Sequence, residues 1–583
     1  MSRFGRALRD RQPDPAGRRW LFVPYDQLSG EIGPLSREDP RTLGIVLVET
    51  LWKPARRPYH KQKLALVLAN LRHFALEQAA RGVAIRHVAV SGPYRAALEP
   101  LIAALGPLRV MEPAERELRA DLAPLVASGG LLVIPHEGWL TTAEDFRTSQ
   151  RSDPPWRMDA FYRHVRRRTG ILMRDGKPVG GKFSFDPDNR LAWRGDPPAP
   201  RPPRFLPDAI TEEVGDLVED LFARHPGRLD LAALPATRQD AEALWTWAGQ
   251  ECLPAFGPYE DAMSSRSSGL FHTRISALLN LHRLLPSRVV ADVAGMTLRL
   301  ASQEGCIRQI LGWREFVRHV HLATDGFRSL PGSAPPIAEH PGDAGYARWA
   351  RKPWRQGLWP GGSGQAAAGS DRTAPGAGDP DGGAMPSVLG ASEPLPPVFW
   401  GDPSGLACLD RVVGDVWAEG YSHHITRLMV LANLATLLDV SPRELTDWFW
   451  VAYTDAYDWV VEPNVLGMGT YAAGDLMTTK PYVSGAAYIA RMSDYCESCA
   501  FDPATTCPIT RLYWAFLARH EVRLRDNPRL RLPLQALRKR PAARREEDAR
   551  TFQQVRSALG AGRTLSPQAA EKATPRKGRH GED

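Results

Sequence analysis

Three cysteines near the end of the sequence are spaced closely enough to bind a metal together. Cys496 and Cys499 form a C-x2-C pair, and Cys507 follows eight residues later. Neighbouring thiolates suit a soft metal ion or an iron–sulfur cluster, which needs one more ligand. Of the remaining cysteines, Cys408 is the best candidate, because the other two lie in apolar helical patterns typical of buried, inert thiols. The spacing alone leaves zinc, a cluster and purely structural cysteines open.

The composition is that of an ordinary globular protein, and the N-terminus indicates a compartment in which cysteines stay reduced. Of the 583 residues, 43% are hydrophobic and 24% charged, and no apolar stretch is long enough to span a membrane. The N-terminus is basic and polar and lacks the apolar segment of a secretory signal. We therefore expect a cytoplasmic protein without a membrane anchor, in which a disulfide framework would not persist.

The formal net charge of +8 suggests nucleic-acid binding but is unevenly distributed. Residues 535–583 contain twelve Lys or Arg and six Asp or Glu, so this tail supplies +6 of the total. The rest of the chain is nearly neutral, and a DNA-binding surface must be a local patch. The tail itself is typical of a solvated helix, with a DNA-contacting arm as the less favoured interpretation.

The apolar pattern divides the chain into two parts, and their fold must position the candidate cysteine ligands. From about Trp20 to Pro135, short β-rich runs such as TLGIVLVE and LLVIP alternate with helical patterns, which indicates a parallel α/β sheet. No G-x-G-x-x-G loop follows the first strand, so an ordinary dinucleotide site is disfavoured there. After a proline-rich connection at 195–207, the spacing becomes that of helices. The second domain is predicted to be mainly α-helical.

Several longer blocks resemble one protein family. The clearest are AEGYSHHITRLMVLANLATLLDVSPRELTDWFWVAYTDAYDWVVEPNVLGMGTYAAGDLMTTKPYVSGAAYIARMSDYCESC, FRTSQRSDPPWRMDAFYRHVRRRTGILM, GKPVGGKFSFDPDNR, YEDAM, LFHTRISALLN and EGCIRQILGWREF. They resemble the iron–sulfur bacterial cryptochromes and photolyases, in the prokaryotic (6-4) photolyase branch of the photolyase and cryptochrome superfamily. The resemblance implies a Rossmann-like α/β antenna domain followed by a mainly α-helical FAD-binding domain.

Composition and resemblance together predict the domain boundaries. A segment rich in Gly and poor in large apolar residues is expected to be a disordered insertion, because it cannot offset its ordering entropy. The expected segments are a flexible N-terminus at 1–19, an α/β antenna-chromophore domain at 20–190, an interdomain linker at 191–245, a helical FAD and iron–sulfur domain at 246–530 with the insertion at 361–392, and a basic flexible tail at 531–583.

The resemblance implies three cofactors. A [4Fe–4S] cluster would be held by Cys408, Cys496, Cys499 and Cys507. A 6,7-dimethyl-8-ribityllumazine antenna would bind the α/β domain, where Asp26, Gln27 and Glu49 lie at strand ends. The positions that match FAD contacts are Thr273, Arg274, Ser276, Gln309, Trp313, His424, Arg427, Asp455, Asp458, Val461 and Asn464.

Individual FAD positions carry different expectations. The block HTRIS matches the family's phosphate-contacting turn. Arg427 and Asp455 would form a buried ion pair beside the isoalloxazine; without the family, they would be interpreted as a core salt bridge. Val461 stands where relatives place a polar side chain near flavin N5, so the stability of the flavin radical is expected to differ while the fully reduced cofactor remains accessible.

Aromatic residues would carry electrons to the flavin. Trp448 and Trp400 match the family's electron-transfer positions. Phe449 stands where relatives have tyrosine, which removes one oxidisable step.

The function implied by the resemblance is light-driven repair of (6-4) photoproducts in UV-damaged DNA by a monomeric protein. His424, supported by His423, would assist proton transfer at the lesion, and a histidine has a suitable proton affinity near neutral pH. Tyr482 matches a position facing the lesion. Two alternatives stay open: a cryptochrome-like blue-light regulator without repair activity, and a non-photochemical iron–sulfur protein that binds nucleic acid.

Overall fold

The computed structural model describes residues 2–331 and 383–567. Most of the expected insertion, at 361–382, lies outside the described residues. No helix in the described ranges combines the length and apolarity needed to cross a membrane.

Five parallel strands form the sheet of the N-terminal part, in the order β3-β2-β1-β4-β5. β2 is buried along nearly its whole length because helices cover both faces of a parallel sheet. This confirms the predicted α/β class. The strand bounds are Arg19–Phe22 (β1), Leu43–Thr50 (β2), Ala84–Val90 (β3), Leu108–Met111 (β4) and Leu131–Ile134 (β5).

Helices connect the strands and continue beyond the sheet. A two-stranded antiparallel ribbon, Met173–Arg174 with Lys177–Pro178, interrupts this series. The α-helices up to residue 247 are Arg3–Arg9, Pro34–Arg37, Trp52–Arg56, Lys61–Ala80, Tyr94–Leu105, Arg116–Ala127, Ala143–Ser149, Met158–Thr169, Ala209–Leu221 and Arg238–Trp247.

The rest of the described chain is helical, as predicted. Of four π-helical segments, Ala248–Cys252, Arg308–Arg314 and Arg427–Ala432 join α-helices end to end, and Pro463–Gly469 extends the helix Asp458–Glu462. The α-helices are Leu253–Phe256, Ser276–Asn280, Pro286–Gly295, Leu300–Ile307, Glu315–Ala323, Ala407–Glu419, His424–Thr426, Asn433–Leu437, Pro442–Ala452, Asp458–Glu462, Ala486–Met492, Pro508–Leu524, Arg531–Lys539 and Ala542–Gly560.

Buried polar contacts fix the sheet domain against the helical domain. The Lys63 ammonium donates to the backbone carbonyls of Trp450, at 2.8 Å, and Ala456, at 2.5 Å. The backbone N–H of Glu117 donates to the Asp458 carboxylate at 3.1 Å. Because such groups are costly to bury unless they are paired, these bonds favour one relative placement of the two domains.

The structure differs from the flexible N-terminus expected at 1–19. The helix Arg3–Arg9 buries Phe4 and Leu8, which lie one turn apart and face the same side. The Phe4 ring packs edge-on against His87 at 4.9 Å between centroids. This short apolar pair anchors a segment whose overall composition is polar.

The structure also differs from the expected linker and tail. The linker region contains the helices Ala209–Leu221 and Arg238–Trp247, and the tail contains Arg531–Lys539 and Ala542–Gly560. The tail helices are anchored by apolar residues at helical spacing, which the overall charge conceals. Those buried residues are Leu534, Leu537, Phe552, Val555 and Leu559. The domain boundaries themselves stay a prediction.

Candidate functional site

A cavity of about 320 Å³ lies inside the helical domain. We call it the central cavity. Its size is within the range of small-molecule sites, and its wall combines apolar and aromatic side chains with a few converging polar groups. All but one of the predicted FAD positions line it: Thr273, Arg274, Ser276, Gln309, Trp313, His424, Arg427, Asp455, Val461 and Asn464.

Three of the π-helical segments, Arg308–Arg314, Arg427–Ala432 and Pro463–Gly469, form much of the cavity wall. A π-turn inserts an extra residue into a helix and shifts the direction of the following side chains. Gln309, Arg427 and Asn464 each come from a different one of these segments. Their convergence therefore depends on local helix irregularities that a regular 3.6-residue period does not predict.

Arg427 and Asp455 form the expected ion pair, on the wall of the central cavity. Nη1 and Nη2 of Arg427 each donate to the Asp455 carboxylate at 3.0 Å, and the Ser276 hydroxyl donates to the same carboxylate at 2.7 Å. The Arg427 guanidinium also lies 4.0 Å from the centre of the Tyr453 ring. Burial opposes ionisation, but Arg427 and Ser276 outweigh it and lower the pKa of Asp455. The pair is therefore charged in the free protein.

Asp458 is the one predicted FAD position that does not line the central cavity. Its carboxylate accepts the backbone N–H groups of Glu117, at 3.1 Å, and Trp459, at 2.6 Å. The side chain thus joins the helical domain to the sheet domain. The match to the family motif identifies the position of Asp458 in the sequence, whereas the direction of its side chain is seen only in the structure.

The turn at Thr273 and Arg274, which is expected to contact phosphate, borders the central cavity. Several polar side chains in and near this turn already form hydrogen bonds with other protein groups. Arg274 has a φ of 57° and bonds to Glu419 and Ser268, both at 2.7 Å. Ser276 is bound to Asp455, and the Gln309 amide donates to Glu260 at 2.6 Å.

Three histidines cluster at the edge of the central cavity. The His423 ring stacks on His272 at 4.4 Å, and His424 meets His272 edge-on at 5.2 Å. His272 was not predicted, although it begins the quoted motif HTRIS. Burial, with Arg308 and Arg427 nearby, lowers the pKa of His424 to about 4. The imidazole of His424 is therefore neutral at pH 7 in the free protein.

Tyr482 lies outside the central cavity and is half-buried. Burial and the nearby Asp186 raise the pKa of its hydroxyl, while Arg157 and Arg190 oppose this rise. Asp186 also acts on the pKa of His424. The two predicted lesion-facing residues therefore share one charged neighbour, Asp186.

Tryptophans run from the central cavity towards the surface. Phe449 lines the cavity, and its ring centre lies 5.2 Å from that of Trp448. Trp448 contacts Trp417 at 5.9 Å, and Trp417 stacks on the half-buried Trp400 at 5.5 Å. Trp417 was missed because nothing in the local sequence distinguishes it among seventeen tryptophans. Trp448 and Trp400 are thus connected through a third indole.

The four candidate cluster ligands come from two parts of the helical domain. Cys408 lies in the first turn of the helix Ala407–Glu419 and is buried, whereas Cys496, Cys499 and Cys507 are partly exposed. Burial raises the pKa of the Cys408 thiol, and the other three cysteines raise it further. The four thiols are therefore electrostatic neighbours. Across 2–331 and 383–567, no three Cys, His, Asp or Glu side chains converge tightly enough for a single metal ion.

A second cavity, of about 360 Å³, lies between the sheet and the helix Lys61–Ala80. Glu49 lines it, but its carboxylate is held by Arg72 at 2.8 Å. Asp26 and Gln27 are buried near the strand ends and do not line this cavity. Burial raises the pKa of Asp26 to about 6.

The fold and the central cavity define a protein in which a parallel α/β part packs on a helical part that encloses a cavity of small-molecule size. Residues 21–233 match the family model for deoxyribodipyrimidine photo-lyase-related proteins. A (6-4) photolyase of Agrobacterium fabrum is 32% identical over 532 residues, which are 88% of this chain and 94% of that protein. The chain therefore belongs to the photolyase-related family, whose members bind a flavin.

Two solved structures are similar to the chain. A bacterial class III photolyase from Agrobacterium tumefaciens has 14% identity and a TM-score of 0.45, covering 96% of this chain and 99% of that one. A cryptochrome from Synechocystis has 15% identity and a TM-score of 0.48, covering 78% of this chain and 82% of that one.

Proposed function

We propose that the protein repairs (6-4) photoproducts in UV-damaged DNA, using light absorbed by bound FAD. The observation that carries this proposal is the convergence of ten predicted FAD positions on one cavity of a photolyase-related chain. Its relative named (6-4) photolyase supports the choice of lesion. The protein is proposed to act as a monomer in the cytoplasm.

The central cavity fits the flavin by the chemistry of its wall. Arg427 and Asp455 would present a fixed ion pair to the polar edge of the ring, and Trp313 and Trp459 would pack against its apolar parts. The turn at Thr273 and Arg274 would face the pyrophosphate. When bound and reduced, FAD supplies the light-excited electron donor, which no protein side chain can replace.

His424 is proposed to act on the lesion as a proton donor. A base flipped out of the duplex would enter beside the histidine cluster, and its phosphates would bring negative charge. That charge raises the pKa of a nearby histidine, which offsets the effect of Arg308 and Arg427. His423, stacked on His272, would keep His424 in place. Tyr482 would face the flipped base.

The DNA strand would lie across the side that carries Tyr482. Arg157 and Arg190 are near this residue, and the arginine side chain is well suited to phosphate oxygens. This local patch accounts for DNA binding without any contribution from the C-terminal charge.

Cys408, Cys496, Cys499 and Cys507 are proposed to hold a [4Fe–4S] cluster. Four thiols in one neighbourhood form the ligand set of such a cluster, and each thiolate would bind a different iron atom. Binding iron would remove the thiol protons and replace mutual repulsion with bonds.

The cavity beside the sheet is proposed to hold the lumazine antenna. Its wall is mostly apolar and aromatic, with Tyr25, Lys53 and Lys63 as polar groups that could meet the pterin-like ring. Glu49 would contribute indirectly, by holding the Arg72 guanidinium in place at the cavity wall.

The proposal is tested by incubating the purified protein with an oligonucleotide that carries one (6-4) photoproduct, in blue light and in darkness. Loss of the lesion in light alone supports repair. A protein that binds flavin but leaves the lesion unchanged in light would contradict the proposal.

A further inference from the structure

A second pair of tryptophans connects the central cavity to the surface. Trp459 lines the cavity and is buried, and its ring centre lies 5.0 Å from that of the half-buried Trp139, at an interplanar angle of 88°. This pair runs through the loop after β5, away from the path through Trp448. Neither residue was singled out from the sequence.

Distance alone would favour this second path. The contact between Trp459 and Trp139 is shorter than the 5.9 Å between Trp448 and Trp417. Trp459 also borders the cavity directly, whereas Phe449 lies between the cavity and Trp448. A purely geometric argument therefore assigns most of the electron flow to Trp459.

The charges around the two paths differ. The guanidinium groups of Arg314 and Arg318 each lie 4.3 Å from the Trp139 ring centre, and Arg314 is 5.3 Å from that of Trp459. Burial lowers the pKa of Arg314 only to about 10, so the group remains charged at neutral pH. Glu315 pairs with Arg314 at 3.1 Å, and its other oxygen is held by Thr141. Glu315 and Glu112 also attract Arg318, but the two guanidinium groups are the charges that lie against the Trp139 ring.

In the described part of the chain, no lysine or arginine lies over the Trp448 or Trp417 ring as Arg314 and Arg318 lie over Trp139. The described ring contacts of Trp448 and Trp417 are aromatic, including His60, which stacks on Trp417 at 5.9 Å. Burial lowers the pKa of His60 to about 4, so this imidazole is neutral at pH 7. When Trp448 or Trp417 loses an electron, the indole becomes positively charged, and no other cation of the described ranges lies against its ring to repel that charge.

An oxidised Trp139 would also keep its charge. Its indole Nε1 is buried and has no hydrogen-bond partner among the described residues, so no protein acceptor there can take the proton. The oxidised Trp139 would therefore remain a cation beside the Arg314 and Arg318 guanidinium groups. Because both groups lie 4.3 Å from the ring centre, repulsion between like charges raises the free energy of the oxidised indole.

We propose that Trp459 and Trp139 form a second electron path to the flavin, and that Arg318 keeps this path closed. The inference rests on the proposed flavin photochemistry. On the open path, one electron passes from the Trp459 indole to the light-excited flavin, and Trp139 then gives one electron to Trp459. A soluble dithiol supplies one electron to Trp139 in each of two such turnovers, so that two electrons reach the flavin, one disulfide forms and the two thiol protons are released. Arg318 is thus an electrostatic positioning residue that selects the path through Trp448.

The test measures photoreduction of the oxidised flavin under blue light with dithiothreitol, together with the transient absorption of indole radicals. Trp448→Phe should slow photoreduction about tenfold, since it removes the main path. Adding Arg318→Gln should restore a measurable part of the lost rate, because it removes one of the two cations beside Trp139. Arg318→Lys keeps the positive charge and should restore none. Adding Trp139→Phe to the restored variant should remove the gain.

Arg318→Gln should preserve the fold, because Nε of Arg318 has no hydrogen-bond partner among the described residues. Flavin content and thermal unfolding of each variant verify this. No recovery in a folded, flavin-loaded Trp448→Phe/Arg318→Gln protein would overturn the inference, as would a wild-type rate in Trp448→Phe. If the wild-type protein lacked flavin or did not respond to light, the proposed function would fail instead.

Discussion

Arg427 and Asp455 meet through two hydrogen bonds of 3.0 Å on the wall of the central cavity. Ser276 adds a third bond to the same carboxylate, and the Arg427 guanidinium covers the Tyr453 ring. The pair is shared between the helix that begins at His424 and the loop before Asp458. It therefore fixes two walls of the cavity relative to each other.

Asp455→Asn should destabilise the protein and release its flavin. The substitution leaves a buried guanidinium without its counter-charge, which costs about 3–5 kcal/mol in other proteins. Urea unfolding and the flavin absorbance of the purified protein measure both effects. Asp159→Asn is the matched control, because Asp159 pairs with Arg163 at the surface and should contribute less than about 1 kcal/mol. Equal stability of the two variants would contradict the assigned role of the pair.

Stability should fall as the pH drops from 6.5 towards 4. Burial lowers the pKa of several histidines from 6.5, to about 4 in His60, His225 and His424 and to about 3 in His272, His282 and His319. At these six imidazoles the unfolded chain binds more protons in this range, which favours unfolding in acid. Buried carboxyls such as Asp26 and Asp447, whose pKa burial raises to about 6, oppose part of this effect. The urea midpoint at pH 5 should lie clearly below that at pH 7.5. A midpoint that stays constant over this range would show that the imidazoles are not buried as described.

Cys496→Ser should remove the cluster and weaken the fold. The iron and acid-labile sulfide content of the purified protein should fall sharply, because three thiolates hold a cluster poorly. Cys252→Ser is the control: Cys252 is buried beside His272 and lies outside the cysteine group. Iron content that is unchanged in Cys496→Ser would rule out the proposed ligand set.

His424→Ala should abolish lesion repair while the protein keeps its flavin. The substitution removes the proposed proton donor and leaves the Arg427–Asp455 pair intact. Since the donor must be protonated, the wild-type repair yield per absorbed photon should fall as the pH rises through the pKa of His424, which is about 4 in the free protein and is raised by the phosphates of bound DNA. Repair yields at several pH values, with lesion binding measured separately, decide this. A yield that is unaffected by the substitution would remove His424 from the mechanism.

The parallel sheet and the residues of the central cavity could be predicted from the sequence. The sheet follows from buried β-branched runs such as that of β2, and the cavity residues lie in motif blocks whose spacing the cofactor constrains. Val461 lines the cavity as expected, and its effect on the flavin radical stays a prediction.

Tertiary packing determined what the sequence could not show. Asp458 lies within a matched motif but faces the sheet domain, because a neighbouring backbone N–H of Glu117 needs an acceptor there. Trp417 joins two predicted tryptophans only through the fold. The helix Ala542–Gly560 has a polar composition, and a few apolar residues on one face suffice to hold it.

The central claim is tested most directly by counting (6-4) photoproducts in a defined oligonucleotide before and after a blue-light pulse, with reduced, flavin-loaded protein. We predict that intact bases replace the lesion in light and not in darkness, and that the His424→Ala protein leaves the lesion in place. Lesions that persist in light, although the wild-type protein binds the oligonucleotide and carries reduced flavin, would contradict the account and favour a light-responsive regulator without repair activity.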